Sequence, residues 1–112
     1  MDGDPDEGWV AFGTLDDIPL GGSRAIRTLA GEIGLFRTLD GRVYALDNIC
    51  PHKGARLSEG AIEGECVVCP AHGLRFALAD GRGAEFGSGR VGAAPVRIEG
   101  GRVLVRLTPP PW

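Results

Sequence analysis

Two short stretches hold the side chains best able to bind a metal: Cys50-Pro51-His52 and, after a sixteen-residue gap, Cys69-Pro70-Ala71-His72. Both histidines and all three cysteines of the chain fall between Cys50 and His72, and the two stretches use both histidines and two of the cysteines. Zinc is the first metal to consider for paired thiols and imidazoles. Structural zinc accepts two Cys and two His in a tetrahedron, but usually groups its cysteines as a pair. Here each stretch mixes one thiol with one imidazole. That division suits a two-iron cluster with unlike ends, one iron taking both thiolates and the other both imidazoles. Pro51 and Pro70 fix φ just after each thiol and remove a donor there. Gly54 and Gly73 allow the tight turns that bring backbone N–H groups towards sulfur.

Such loops need a rigid support, and the rest of the chain reads as strands. Apolar and β-branched runs recur at Trp9–Phe12, Arg24–Leu29, Ile33–Leu39, Arg42–Asp47, Cys66–Cys69, Leu74–Ala79, Val96–Glu99 and Val103–Leu107. Arg42–Leu46 and Arg102–Arg106 alternate with period two, the pattern of a half-buried strand. Leu39-Asp40-Gly41-Arg42 and Glu99-Gly100-Gly101-Arg102 carry the glycines of hairpin turns. No window sustains a helical period beyond two turns, and Leu15–Ile18 is at most a short turn before Pro19. Many short strands with regular turn signals predict an all-β fold, an antiparallel sandwich or small barrel. The ligand-bearing stretch 49–73 interrupts the strand rhythm as an insertion.

Composition narrows the class. With 112 residues there is room for one small domain. The 19 glycines and 8 prolines are enough to raise the question of disorder. Their even spacing between apolar runs instead marks them as turn residues. Asp2, Asp4, Asp6 and Glu7 hold four of the fifteen acidic residues, so residues 8–112 carry twelve basic against eleven acidic ones. Residues 1–8 therefore read as an acidic flexible tail, 9–107 as the domain and 108–112 as a proline-rich tail. A net charge of −3 gives no electrostatic reason to expect nucleic acid. No apolar run reaches the length of a membrane helix, and the acidic start is unlike a secretory signal. Three cysteines are too few for a disulfide-stapled secreted domain, so a reducing cytoplasm is expected.

The pattern C-P-H-K-G…L-S-E-G…C-P-x-H-G resembles the Rieske [2Fe–2S] family over most of the chain. Phe76–Gly81 resembles the strand and turn that follow the second ligand loop there, and Pro95–Val103 resembles the closing hairpin. The resemblance implies a Rieske-type antiparallel β sandwich with an inserted cluster-binding subdomain (about 49–73). It implies one [2Fe–2S] cluster held by Cys50, His52, Cys69 and His72, with electron transfer to and from a redox partner protein. No catalytic residue is identified. A zinc-stabilised interaction module is the competing reading from a different class.

Within the family, respiratory-complex members carry an extra cysteine in each loop and a serine after the second His-Gly. Ala55, Ala71 and Leu74 stand at the corresponding positions, which implies a potential near the bottom of the family range. Cys50–Gly54 with Leu57–Gly60 most resembles the small subunit of assimilatory NAD(P)H nitrite reductase, whose partner is the large subunit. The alternative is the ferredoxin of aromatic-ring dioxygenases, whose partners are a reductase and an oxygenase. Lys53, Arg56 and Arg75 are expected to form a positive rim for an acidic partner. Cys66 is expected to be a buried, inert thiol, and Glu59, Glu63 and Glu65 solvated charges. Trp9 and Trp112 are expected as anchors, and Gly83–Gly92 as a third loop over the cluster.

Overall fold

The computed structural model describes residues 8–28, 31–50, 54–71, 73–85 and 89–107. These contain ten strands and no α-helix: β1 Trp9–Thr14, β2 Ser23–Thr28, β3 Gly31–Arg37, β4 Val43–Asp47, β5 Ile62–Glu63, β6 Cys66–Val68, β7 Arg75–Ala77, β8 Ala93–Ala94, β9 Val96–Glu99 and β10 Arg102–Arg106. The expected short turn is a 3-10 turn at Leu15–Asp17, where the Thr14 N–H donates to Asp17 Oδ2 at 2.9 Å. Of the strands, β5 and β8 are additions to the sequence reading. A two-residue strand has no alternation to read, and both exist because a longer neighbour offers them its edge.

All pairing is antiparallel. One sheet runs β1-β10-β9 and a second runs β2-β3-β4-β8. The two expected hairpins close as the turn glycines demand. Gly100 and Gly101 both have positive φ (58° and 81°) between paired Glu99 and Arg102. That is the requirement of the two-residue turn whose twist matches its strands. The chain leaves the second sheet at Asp47 and returns beside it at β8, where Ala45 faces Ala94 and Leu46 faces Ala93. The Asp47 N–H also donates to the Gly92 carbonyl at 2.8 Å. Both ends of the excursion are thus stitched together, and it extends well beyond 49–73. It holds its own sheet, β5-β6-β7, and a 3-10 turn at Leu57–Glu59.

Strands β3 and β4 separate two cores, and period-two alternation assigns their side chains. Ile33, Leu35 and Ala45 face inward to the sandwich and join Ile18, Ile26, Val103 and Val105. Phe36 and Leu46 face the excursion and join Cys50, Leu57, Val67, Cys69, Phe76, Leu78 and Val91. Each large apolar side chain so buried stabilises by about 1.5–3 kcal/mol. The second core packs the loops that begin at Cys50 and Cys69 against the sandwich. Among the described residues no helix is long and apolar enough to cross a membrane.

Candidate metal centre

The two loops that begin at Cys50 and Cys69 are closed in the same way at their described residues. The Cys50 N–H donates to the Ala55 carbonyl at 2.7 Å, and the Gly54 N–H donates to the Cys50 carbonyl at 2.9 Å. The Cys69 N–H donates to the Leu74 carbonyl at 2.7 Å, and the Gly73 N–H donates to the Cys69 carbonyl at 2.9 Å. The glycine at the fifth position is left-handed in both, with φ 69° at Gly54 and 72° at Gly73. A β-branched or bulky residue there would be strained. Neither cysteine is in a disulfide, and both are 1% exposed in one core with Val67, Leu57 and Val91.

This donor set fits a cluster with a two-thiolate end: two soft sulfur ligands, each on a tight loop, shielded from water by apolar packing. His52 and His72 lie outside the described residues, as do Pro51 and Lys53. Among the described residues, no group of three metal-ligating side chains is assembled.

A polar brace holds the first loop to the sandwich. Asn48, two residues before Cys50, is 3% exposed. Its Oδ1 accepts from the Ser58 N–H at 2.6 Å, and its Nδ2 donates to Ser58 Oγ at 2.8 Å and to Glu32 Oε1 at 3.0 Å. Arg56 grips the same Glu32 carboxylate with two prongs, Nε to Oε1 at 2.8 Å and NH2 to Oε2 at 2.7 Å. The Ser23 hydroxyl on β2 donates to the Ser58 carbonyl at 2.7 Å. Sequence reasoning missed Glu32 and Asn48. The L-S-E-G run singled out Ser58, but nothing local links it to a glutamate on β3.

The second loop is held differently, by close backbone approach. A Cβ on Gly60 would lie 1.8 Å from the Val68 carbonyl oxygen, one residue before Cys69. The Val68 N–H donates to the Ala61 carbonyl at 2.8 Å, so the chain after the Leu57–Glu59 turn lies directly against β6.

The expected positive rim is corrected at two of its three positions. Arg56 is paired with Glu32 and also with Glu59 at 3.3 Å. Arg75 is paired with Glu85, Nε to Oε2 at 3.0 Å, while its N–H donates to Glu85 Oε1 at 3.0 Å. Both arginines are therefore charge-compensated, and Lys53 lies outside the described residues. Hydrogen bonds from Arg56 hold the Glu32 carboxyl below its ordinary range against an opposing push from desolvation, with Asn48 adding to the lowering. The Arg75 backbone N–H and then its side chain do the same for Glu85.

A carboxyl whose folded pKa is depressed contributes stability above its unfolded value and loses it as pH falls through the folded one. The contribution of these pairs to thermal stability should therefore be full and independent of pH above about pH 5 and decline below about pH 4. Glu32→Gln should flatten part of that decline in a melting series against pH. An unchanged acid slope in the variant would count against Glu32 as a contributor.

Cys66 is half-buried rather than buried. It stands on β6 opposite Glu63 and Ala77, and alternation puts its neighbour Val67 into the core and Cys66 on the other face. Cys66→Ser should then leave bound iron and sulfide per chain unchanged, and loss of either would make Cys66 part of the site. Trp9 is an edge anchor on the sandwich, its ring 4.5 Å from the Arg97 guanidinium. Trp112 lies outside the described residues, as do 86–88 of the glycine-rich third loop. Of that loop, Val91 is buried in the core that holds both cysteines.

Comparison with known proteins agrees with this geometry. The family model of the Rieske [2Fe-2S] domain matches residues 8–92. The ferredoxin component of the naphthalene 1,2-dioxygenase/salicylate 5-hydroxylase systems of Ralstonia sp. is 34% identical over 102 residues, covering 90% of this chain and 97% of that protein. The ferredoxin of carbazole 1,9a-dioxygenase from Nocardioides aromaticivorans IC177 superposes with a TM-score of 0.82 at 30% identity, over 91% of this chain and 100% of that one. A structure assigned as the NADH-dependent nitrite reductase small subunit of Mycobacterium tuberculosis superposes with a TM-score of 0.83 at 28% identity, over 90% of this chain and 96% of that one. With its paired cysteine loops on an antiparallel sandwich, the chain belongs to the Rieske [2Fe-2S] domain family, electron-transfer proteins with a Rieske-type cluster.

Proposed function

We propose that Cys50, His52, Cys69 and His72 hold one [2Fe–2S] cluster and that the chain is the ferredoxin component of a multi-component oxygenase system. When bound, the cluster accepts and releases one electron, and centres of this type span roughly −150 to +300 mV. The chain's own residues do the rest. Cys50 and Cys69 are withdrawn from water by Leu57, Val67 and Val91, and the paired loop hydrogen bonds hold the two thiols on matched supports. Ala55 and Leu74 pack against that core without a hydroxyl to offer, in keeping with the low end of the potential range.

The observation that carries the ferredoxin reading is the near end-to-end match to the dioxygenase ferredoxin of Ralstonia sp.. Nitrite reductase small subunit is the second reading, favoured by the equally close superposition on the Mycobacterium tuberculosis structure. Its residue-level support is the resemblance of Cys50–Gly54 with Leu57–Gly60 to that subunit.

Reconstitution separates the two. Purified holoprotein should carry electrons from a flavoprotein reductase to a ring-hydroxylating oxygenase, with product formed in proportion to added protein. Stable association with a nitrite reductase large subunit and NADH-dependent nitrite loss, with no oxygenase turnover, would reverse the assignment.

A further inference from the structure

We infer that Asn48, together with Glu32 and Arg56, positions the first cluster loop and thereby sets the electronic environment of the cluster, beyond holding the fold. The inference rests on the proposed ligand set. Its basis is an asymmetry between two loops that are otherwise alike. Their internal hydrogen bonds match bond for bond. The Cys69 loop has an ion pair at its far end, Arg75 to Glu85, but among the described residues only the Cys50 loop has its two ends joined by one hydrogen-bonded side-chain network. Asn48 lies two residues before Cys50, whose N–H makes the cross-loop bond to the Ala55 carbonyl at 2.7 Å. Arg56 follows Ala55 and is fastened through Glu32 to β3. Glu32 Oε1 accepts from both Asn48 Nδ2 and Arg56 Nε, so one carboxylate oxygen links the two ends.

The network is closed. The Asn48 amide spends its oxygen on the Ser58 N–H and its nitrogen on Ser58 Oγ and Glu32. A side chain 3% exposed with this many partners has one orientation available. Loosening either end frees the Cys50–Ala55 bond to lengthen. The thiolate and the N–H groups around it then shift relative to whatever the thiolate binds. Groups that orient a ligand in this way typically alter metal affinity by about 10–100-fold when removed.

The test uses holoprotein with four changes: Asn48→Asp, Glu32→Gln, the two combined, and Arg56→Lys. Asn48→Asp sets two carboxylates against each other. Combined with Glu32→Gln, the donor and acceptor roles are exchanged and the contact can re-form. Arg56→Lys is an exposed replacement that keeps charge while removing the two-pronged grip, so it reports even where Asn48→Asp does not fold. Three readouts apply: the rate of iron loss to a chelator, the reduced-state EPR g values, and the midpoint potential.

Asn48→Asp should release iron about tenfold faster or more, with displaced g values and potential, and the double variant should recover most of both. Arg56→Lys should move the same readouts in the same direction by less. Lowered melting temperatures with unchanged g values, potential and iron loss in every folded variant would overturn the inference, since a purely structural brace predicts that result. A wild-type chain that binds no Rieske-type cluster would instead overturn the ligand assignment, and this inference with it.

Discussion

Cys50→Ser is expected to yield a chain with no Rieske-type cluster, and Cys69→Ser the same. The expectation follows from chemistry and place together. Each thiol is 1% exposed, so no outside ligand can replace it without opening the core. A serine hydroxyl is a harder and far less acidic donor than the thiol, and at neutral pH it does not offer the anionic soft ligand that iron–sulfur clusters require. The two variants should behave alike because the two loops are built alike, from the bond across each loop to the left-handed glycine that closes it.

Iron and acid-labile sulfide should fall to background, and the visible absorbance and reduced-state EPR signal should vanish. Melting temperature should drop as well, because a metal site absent from the unfolded chain contributes its binding energy to folding. A serine variant that kept iron, sulfide and the EPR signal would remove that cysteine from the ligand set. The zinc alternative is answered by the same preparation: a wild-type chain that is colourless and holds zinc would replace the iron–sulfur reading outright.

The second large effect is expected at a residue that touches no metal. Gly60→Ala should prevent cluster loading although φ at Gly60 is an ordinary −94° that alanine adopts freely. The obstacle is space. The added methyl would sit 1.8 Å from the Val68 carbonyl oxygen and 3.2 Å from Pro70 Cδ, so it meets backbone that has no rotamer to change. Relief requires β6 to move away from the Leu57–Glu59 turn, breaking the bond from the Val68 N–H to the Ala61 carbonyl and drawing Cys69 from the shared core.

Overpacking of this kind costs on the order of 3 kcal/mol, a large fraction of the margin of a small domain. Co-expression with iron and sulfide supply should give a Gly60→Ala chain with little cluster and a lowered melting temperature. Gly64→Ala is the control. Its φ of 61° is unfavourable for alanine, yet nothing lies within 4 Å of the added methyl. Backbone strain without a clash should cost less stability and leave the cluster in place. Equal cluster loss in both variants would show that the contact with the Val68 carbonyl is not what decides loading.

Much of the site was legible because its information is local. Cysteine, proline, histidine and glycine within a few residues of each other define each loop, and the same hydrogen bonds appear wherever that local order recurs. The strands were legible for the same reason. Alternation in Arg42–Leu46 and Arg102–Arg106 and the Gly100-Gly101 turn are properties of neighbours in the chain, and β4, β10 and the last hairpin form there.

What tertiary structure alone decided involves partners far apart in sequence. The positive rim expected of Arg56 and Arg75 disappears because Glu32 lies 24 residues from one and Glu85 lies 10 residues from the other. Strands β5 and β8 arise because the edges of β6 and β4 stand in the right place. Gly60 is required by a carbonyl eight residues away that only the fold brings against it. The sequence by itself thus determined the two cysteine loops, the all-β class and the turns, since each depends on side chains within a few residues. The sheet register determined which charges are compensated, which glycines have no room and what braces the first loop. Those depend on distances in space, which no local pattern of residues encodes.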